Sequence, residues 1–379
     1  TDVTAFGAED LRVGALVVSE CPLLTDLSGL ERITEVSGDI SIDTVDAMAT
    51  LDLRTLGRVG GSIEVRGLPA LESLGLPALE RVGTLIVADN PQLVTAQSLA
   101  ALSQVGDTLE FTGNLRLTTL GLTGLTTGGR VHIRDNEALG TLGGFERLTQ
   151  ATELTVERND ALESVAGLGN VQTVDGNLWI VQNPLLTRVA LPGLVQVGTL
   201  AVNGSPLLTE LNLANLRVVD ATLAIQNGHV TTIDLPALES LGSLALNNLD
   251  SLEEVRLGQL TQVGDVTLHA VGRPGGPDLV VVSSLMEVGN VTLTYNYALR
   301  GLTGFEAVER IDGNLLIRFD RGLEDLEGFD AVTSIGGDVT IVDGETLPQC
   351  RAQAFVDRVG EVNIGGRVDV TRNFNVCPD

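Results

Sequence analysis

The chain has 379 residues, 43% hydrophobic but only 3% aromatic, with a formal net charge of −27 in which all 23 basic residues are arginine. That charge argues against nucleic acid and anionic membrane surfaces as partners, because both would be repelled. The scarcity of aromatics argues against a globular core built on Phe and Trp and predicts thin layers of Leu, Val and Ile. No secretory signal, membrane-spanning run or lipid-anchor motif is legible, and the 44 glycines suit many turns.

The first residues read as the tail of an earlier coil. Val3-Thr-Ala-Phe6 and Leu11-x-Val13-Gly14 carry apolar pairs without a capping element. The open edge this would leave predicts self-association through the N-terminal end, or cover by another chain or by upstream residues.

From Leu16 onward one unit repeats. Its first buried strand positions are Leu16, Ile40, Ile63, Leu85, Leu109, Val131, Leu154, Leu178, Leu200, Leu223, Leu244, Val266, Val291, Leu315, Val339 and Val368. The period is 21–25 residues up to Val339, and the last step is 29. Two residues further on, each unit is apolar again (Val18, Ile42, Val65 and onward to Val370), the alternation of a half-buried strand. A second apolar pair follows the turn, as in Leu74/Leu76, Val189/Leu191 and Ile233/Leu235, and then a third segment such as Leu79-x-x-Val82-Gly83. Three short sides without a helical pattern describe one coil of a solenoid, whose inward residues are buried only by stacking on the next coil.

The turn after the main strand has its own column: Asn90, Asn114, Asn136, Asn159, Asn183, Asn296 and Asn373. Stacked asparagines both donate and accept, so they can satisfy turn backbone groups that face inward. Cys21 falls in the same column and is expected to be a small buried replacement for Asn.

These features predict an all-β, single-stranded, right-handed β-solenoid of about 16 coils over residues 1–348, closed by a C-terminal cap over residues 349–379. The phrases Leu30-Glu-Arg-Ile33, Ser37-Gly-Asp-Ile-Ser-Ile42 and Phe305-Glu-Ala-Val-Glu-Arg-Ile-Asp-Gly-Asn-Leu-Leu-Ile317 resemble the receptor L-domain repeat. That unit is a leucine-rich-repeat-like β-helix found in hormone-receptor ectodomains and in bacterial and fungal cell-surface proteins. The resemblance implies an extracellular or surface location and a ligand-binding or adhesive role.

The 29-residue step contains Leu347–Val359, in which Ala352, Phe355, Val356 and Val359 have helical spacing. It predicts a short capping helix over 349–359. Cys377 follows the last strand, and a Cys350–Cys377 disulfide would close the cap and contribute about 3 kcal/mol by chain entropy. Two free thiols are the alternative; the disulfide implies an oxidising compartment.

The sequence offers no zinc spacing, phosphate loop, nucleophile elbow or calcium nonapeptide. His132 and His269 point outward from main strands six coils apart, about 29 Å at the usual strand spacing, too far to share a metal. His229 lies in the asparagine-column turn, and Asp89, Asp135 and Asp160 read as solvated turn residues. Glu64, Arg66, Glu110, His132, Arg134 and Glu157 face outward with mixed signs and read as surface ion pairs. Catalysis, metals and cofactors are therefore not expected.

Beyond them the outward pairs become Trp179/Val181, Ala201/Asn203, Ala224/Gln226 and Ala245/Asn247. A lone Trp beside small residues can stack on a sugar ring or anchor a protein. This nominates Trp179, Val181, Ala201, Asn203, Gln226 and Asn247 as ligand or partner contacts. Arg273, in the inserted loop Val271–Asp278, is added because loops on repeat scaffolds carry recognition. The expected protein is a secreted or surface-displayed, non-enzymatic binding or adhesion module for a surface protein or glycan. The alternative is a structural rod that assembles end to end, or with partner subunits, through its N-terminal end.

Overall fold

The computed structural model describes residues 11–276 and 279–377. Val3–Phe6, and Pro277 and Asp278 of the inserted loop, lie outside the described residues. The chain forms two compact units, 1–194 and 195–379, and each is a stack of parallel β coils. Among the described residues no helix is long and apolar enough to cross a membrane.

The strand register follows the apolar columns residue for residue. In the first unit Leu16 pairs with Ile40, and the series continues through Ile63, Leu85, Leu109, Val131 and Leu154 to Leu178. In the second, Leu200 pairs with Leu223, and the series continues through Leu244, Val266, Val291, Leu315 and Val339 to Val368. A coil is complete only where one such strand leads to the next. Sixteen strands bound fifteen such steps, and the last runs through the helix Gln349–Val359, so the chain makes about 14 turns rather than sixteen.

The third side of the coil bends directly into the main strand. Arg58–Arg66, Gln104–Thr112 and Thr173–Val181 each carry a buried valine as their second residue, at Val59, Val105 and Val174. The pairings shift register between that valine and the main-strand pair. The second side forms small parallel sheets, Thr50–Asp52 with Ser73–Gly75, and Thr232–Asp234 with Glu254–Arg256 and Val280–Val282. At the bends the backbones of neighbouring coils nearly touch. A β-carbon at Gly289 would lie 2.0 Å from the Gly264 carbonyl oxygen, so only glycine fits.

The core is aliphatic, as the composition requires. Ile40, Ile42, Leu85, Val87, Leu223 and Ile225 are all fully buried, each contributing roughly 1.5–3 kcal/mol before chain entropy is counted. Exceptions are phenylalanines stacked in one column, with Phe305 and Phe329 rings 5.5 Å apart and Phe329 and Phe355 rings 6.2 Å apart.

The asparagine column is a continuous ladder in the first unit. Asn90, Asn114, Asn136, Asn159 and Asn183 are fully buried. Asn114 is typical: its Oδ1 accepts from the backbone N and the Nδ2 of Asn90, both at 3.3 Å, and its Nδ2 donates to the Val87 carbonyl at 2.9 Å. In the second unit Asn296, Asp320 and Asn373 occupy the column and are buried. Cys21 does not join it. The thiol is exposed and donates to the Ser19 carbonyl at 3.2 Å. The next column residues are Val45 and Leu68, so no amide stands beside it.

One residue before this column, every main strand ends on a left-handed residue. Thirteen are not glycine, from Glu20 and Thr44 to Asp343 and Arg372, and Gly67, Gly113 and Gly204 complete the set; φ runs from 51° to 68°. Neighbours in this line touch. Arg158 Nε lies 2.6 Å from Asp135 Oδ1, Asn248 Nδ2 donates to Asn227 Oδ1 at 2.9 Å, and Arg372 Nε lies 2.6 Å from Asp343 Oδ1.

The cap matches its sequence reading. The helix spans Gln349–Val359 and buries Ala352, Phe355, Val356 and Val359. The Cys350–Cys377 disulfide closes it, with Cα atoms 6.1 Å apart.

Candidate functional site

Parallel pairing in register turns the outward positions of the first unit into a grid. One row runs Ile86, Glu110, His132, Thr155, Trp179; the row beside it runs Ala88, Thr112, Arg134, Glu157, Val181. Each neighbour along a row is a strand partner, about 4.8 Å away. Trp179, the last residue of the first row, is 38% exposed. Thr155, between His132 and Trp179, is completely buried although it faces away from the core.

His132 is largely covered as well. Its Nε2 lies 3.6 Å from Glu153 Oε1, with 13% of the imidazole side chain exposed. Burial pushes its pKa below the usual histidine value and Arg134 adds to the shift, while Glu153 and Glu110 oppose it. The ring is therefore neutral at pH 7, with one nitrogen donating and the other accepting. Arg134 Nε lies 3.7 Å from Glu157 Oε2, and Glu157 also contacts Arg158. Of the expected ion pairs Glu64–Arg66 and Arg134–Glu157 are present, but polar atoms are left over. Thr112 Oγ1, His132 Nε2, Arg134 Nε and Thr155 Oγ1 are buried and make no hydrogen bond.

Trp179 and Val181 thus stand beside a polar group that the sequence reading set aside as surface ion pairs. The signal was available: the same register that aims Trp179 outward aims His132 and Thr155 next to it. The remaining nominated residues lie in the second unit. Ala201 pairs with Ala224 and then Ala245, and Asn203 with Gln226 and then Asn247, forming a half-buried strip. Asn203 Oδ1 accepts from Asn227 Nδ2 at 2.7 Å. Arg273 is not part of this strip. It lines a separate recess of about 160 Å³ with Thr231, Asp250, Ser251, Leu252 and Glu253.

A second outward cluster escaped the sequence reading. Tyr295 and Phe319, both in the left-handed line, have ring centroids 5.1 Å apart; His269 meets Tyr295 edge-on at 5.5 Å, and the Arg318 guanidinium lies 4.6 Å from the Phe319 centroid. Twenty-four residues separate Tyr295 from Phe319 in sequence, and only the column directly after the main strand brings them together.

His229, Asp250 and Ser251 are adjacent but do not form a nucleophilic triad. Asp250 Oδ1 at 3.0 Å and Ser251 Oγ at 3.4 Å both meet the same nitrogen, Nδ1. A triad needs the acid and the hydroxyl on opposite ring nitrogens. Among the described residues no three His, Cys, Asp or Glu side chains are grouped to hold a metal ion. No protein-family model matches the sequence, and no curated protein matches it.

Proposed function

We propose that the protein is an extracellular, non-enzymatic binding or adhesion module that presents the outward face of its parallel strands to a surface protein or a glycan. The observation that carries this reading is Trp179. It is the chain's single tryptophan, 38% exposed, on an open sheet face beside Thr155 and His132. An aromatic held rigidly on a flat face offers large contact area at small entropic loss. The disulfide supports an oxidising, extracellular setting. The receptor L-domain resemblance of the repeat phrases points the same way. Arrays of glycans and purified surface proteins, probed with the wild type and Trp179→Ala, test it. Loss of binding in the variant supports the reading; wild-type binding that the variant retains in full removes Trp179 from it.

The second reading is self-association through the first coils, as a structural rod. Val17 and Leu23, 69% and 89% exposed, favour it. Light scattering across a wide concentration range decides: a monomer throughout rejects it.

A further inference from the structure

We propose that the outward grid of the first unit contains a subsite for an uncharged sugar residue, in which Trp179 supplies the stacking surface and Thr155, His132, Thr112 and Arg134 supply the hydrogen bonds. The proposal rests on the binding reading above and names its ligand class.

The first argument is where hydrogen-bonding capacity is left unused. Five buried side-chain polar atoms make no hydrogen bond among the described residues, and four belong to these residues. They fall on three adjacent strands, Gln104–Thr112, Thr127–Arg134 and Gln150–Glu157, with Thr112 paired to Arg134 and His132 to Thr155. Buried polar atoms are almost always paired, so a cluster of unpaired ones is a departure that folding does not require. Along the same row the second unit carries Ala201, Ala224 and Ala245 and then Thr267, Thr292 and Leu316, and neither of those threonine hydroxyls is among the unpaired buried atoms. Thr155 is the clearest case. Its residue is wholly buried, its hydroxyl has no partner, and its strand neighbours on the two sides are His132 and Trp179. Of these two neighbours Trp179 is the exposed one and His132 is largely covered.

The second argument is the kind of capacity. Two hydroxyls and a neutral imidazole each donate and accept, and the guanidinium donates. Vicinal sugar hydroxyls do both as well, so they match this set, whereas a purely anionic or purely cationic group would leave half of it unmet. The apolar face of a pyranose ring suits an indole. The third argument is charge. Arg130 and Arg134 stand against Glu110, Glu153 and Glu157 around His132, on a chain of net charge −27. That balance disfavours carboxylated, sulfated or phosphorylated sugars and leaves an uncharged residue as the occupant.

Thr155→Val separates folding from binding. The change keeps the β-branched shape and removes only the hydroxyl's polar character. With no internal partner to lose, the unfolding midpoint rises. With a sugar hydroxyl to lose, affinity for neutral oligosaccharide probes falls about tenfold, the loss of one good hydrogen bond. The probes are immobilised gluco-, manno-, galacto- and N-acetylglucosamine oligomers, with sialylated glycans and polyuronates beside them. Neutral-glycan binding that is weakened by Thr155→Val and by Trp179→Ala supports the subsite. A lowered midpoint, or unchanged neutral-glycan binding in Thr155→Val, overturns the subsite while the binding reading stands. Preference for the anionic glycans, or binding only to a purified protein, overturns the ligand class alone. No binding to any glycan or protein overturns both.

Discussion

The side chain of Gln349 makes for Asn373 the hydrogen bonds that Asn90, Asn114, Asn136 and Asn159 each receive from the next asparagine. Its Oε1 accepts from the backbone N and the Nδ2 of Asn373, both at 3.2 Å, and its Nε2 donates to the Val370 carbonyl at 2.7 Å. Asn114 does the same for Asn90 and Val87. The helix imitates a coil at a second column too, since Phe355 continues the Phe305–Phe329 stack. Arg358 closes the last exposed backbone, donating to the carbonyls of Phe329 and Asp330 at 2.8 and 2.6 Å. The cap is therefore a counterfeit coil, built on a helix.

Replacing Gln349 by Ala leaves the amide groups of Asn373 buried and short of an acceptor. The expected loss is about 1–3 kcal/mol, concentrated in the last coil because repeat folds couple mainly to neighbours. Hydrogen exchange checks it: amides of Val368–Thr371 should exchange faster, while those of Leu200–Asn203 hold. Uniform acceleration throughout the second unit rejects a local role.

Removing the disulfide by Cys350→Ser with Cys377→Ser frees a loop with a sequence separation of 27. Chain entropy puts the loss at roughly 3–4 kcal/mol. Unfolding of the double variant should match that of the reduced wild type. A variant as stable as the oxidised protein would mean that Gln349, Phe355 and Arg358 hold the cap unaided.

Asp320 stands in the ladder where other coils carry Asn. Its Oδ2 accepts from Asn296 Nδ2 at 2.9 Å, and its Oδ1 accepts from the Gly322 and Leu323 amides at 3.3 Å. Burial pushes its pKa up to about 6 from 3.8, against the opposing pull of these hydrogen bonds. The folded chain thus keeps a proton that the unfolded chain releases, and stability from this group falls as pH rises from about 4 to about 6. Asp320→Asn removes the ionisation. It should gain up to about 3 kcal/mol at pH 8 and little at pH 4. Midpoints measured across that range should converge at the acid end; parallel curves reject the assignment.

In the middle of the ladder Asn136 donates to the Phe111 and Arg134 carbonyls and accepts from Asn114. Asn136→Ala strands buried groups on both sides and should destabilise the first unit by about 3 kcal/mol or more. Equilibrium denaturation checks this. A loss below about 1 kcal/mol would show that the turn backbone finds other partners.

The apolar columns, the asparagine ladder and the cap were legible because each rests on a local rule repeated many times. Leu16 to Leu178 could be aligned by spacing alone, and Ala352, Phe355, Val356 and Val359 by helical period. What the sequence withheld were single events. Gln349 acts as a rung from within a helix, where strand spacing no longer tells which way a side chain points. Cys21 sits in the right column, yet it is exposed while Val45 and Leu68, the next residues of that column, are fully buried. Asp320 lies three residues past Ile317 and could have been placed in the ladder by the rule that placed Asn296. His132 and Thr155 could be placed in the grid by counting, yet which hydroxyls and nitrogens go without a partner is decided by the folded side chains.

The left-handed line beside the ladder has a consequence for how this surface can change. Its backbone is the same at every coil whether the residue is Glu20, Arg158, Gln182, Tyr295 or Gly204. A non-glycine residue there costs about 1–2 kcal/mol, less for Asn and Asp, which make up five of the thirteen, and more for a β-branched residue such as Thr44. Beyond that bias the fold accepts many kinds of side chain at this line. The line works as a row of interchangeable type along which acidic, basic, amide or aromatic characters can be set one coil at a time, while the text of the core stays unaltered.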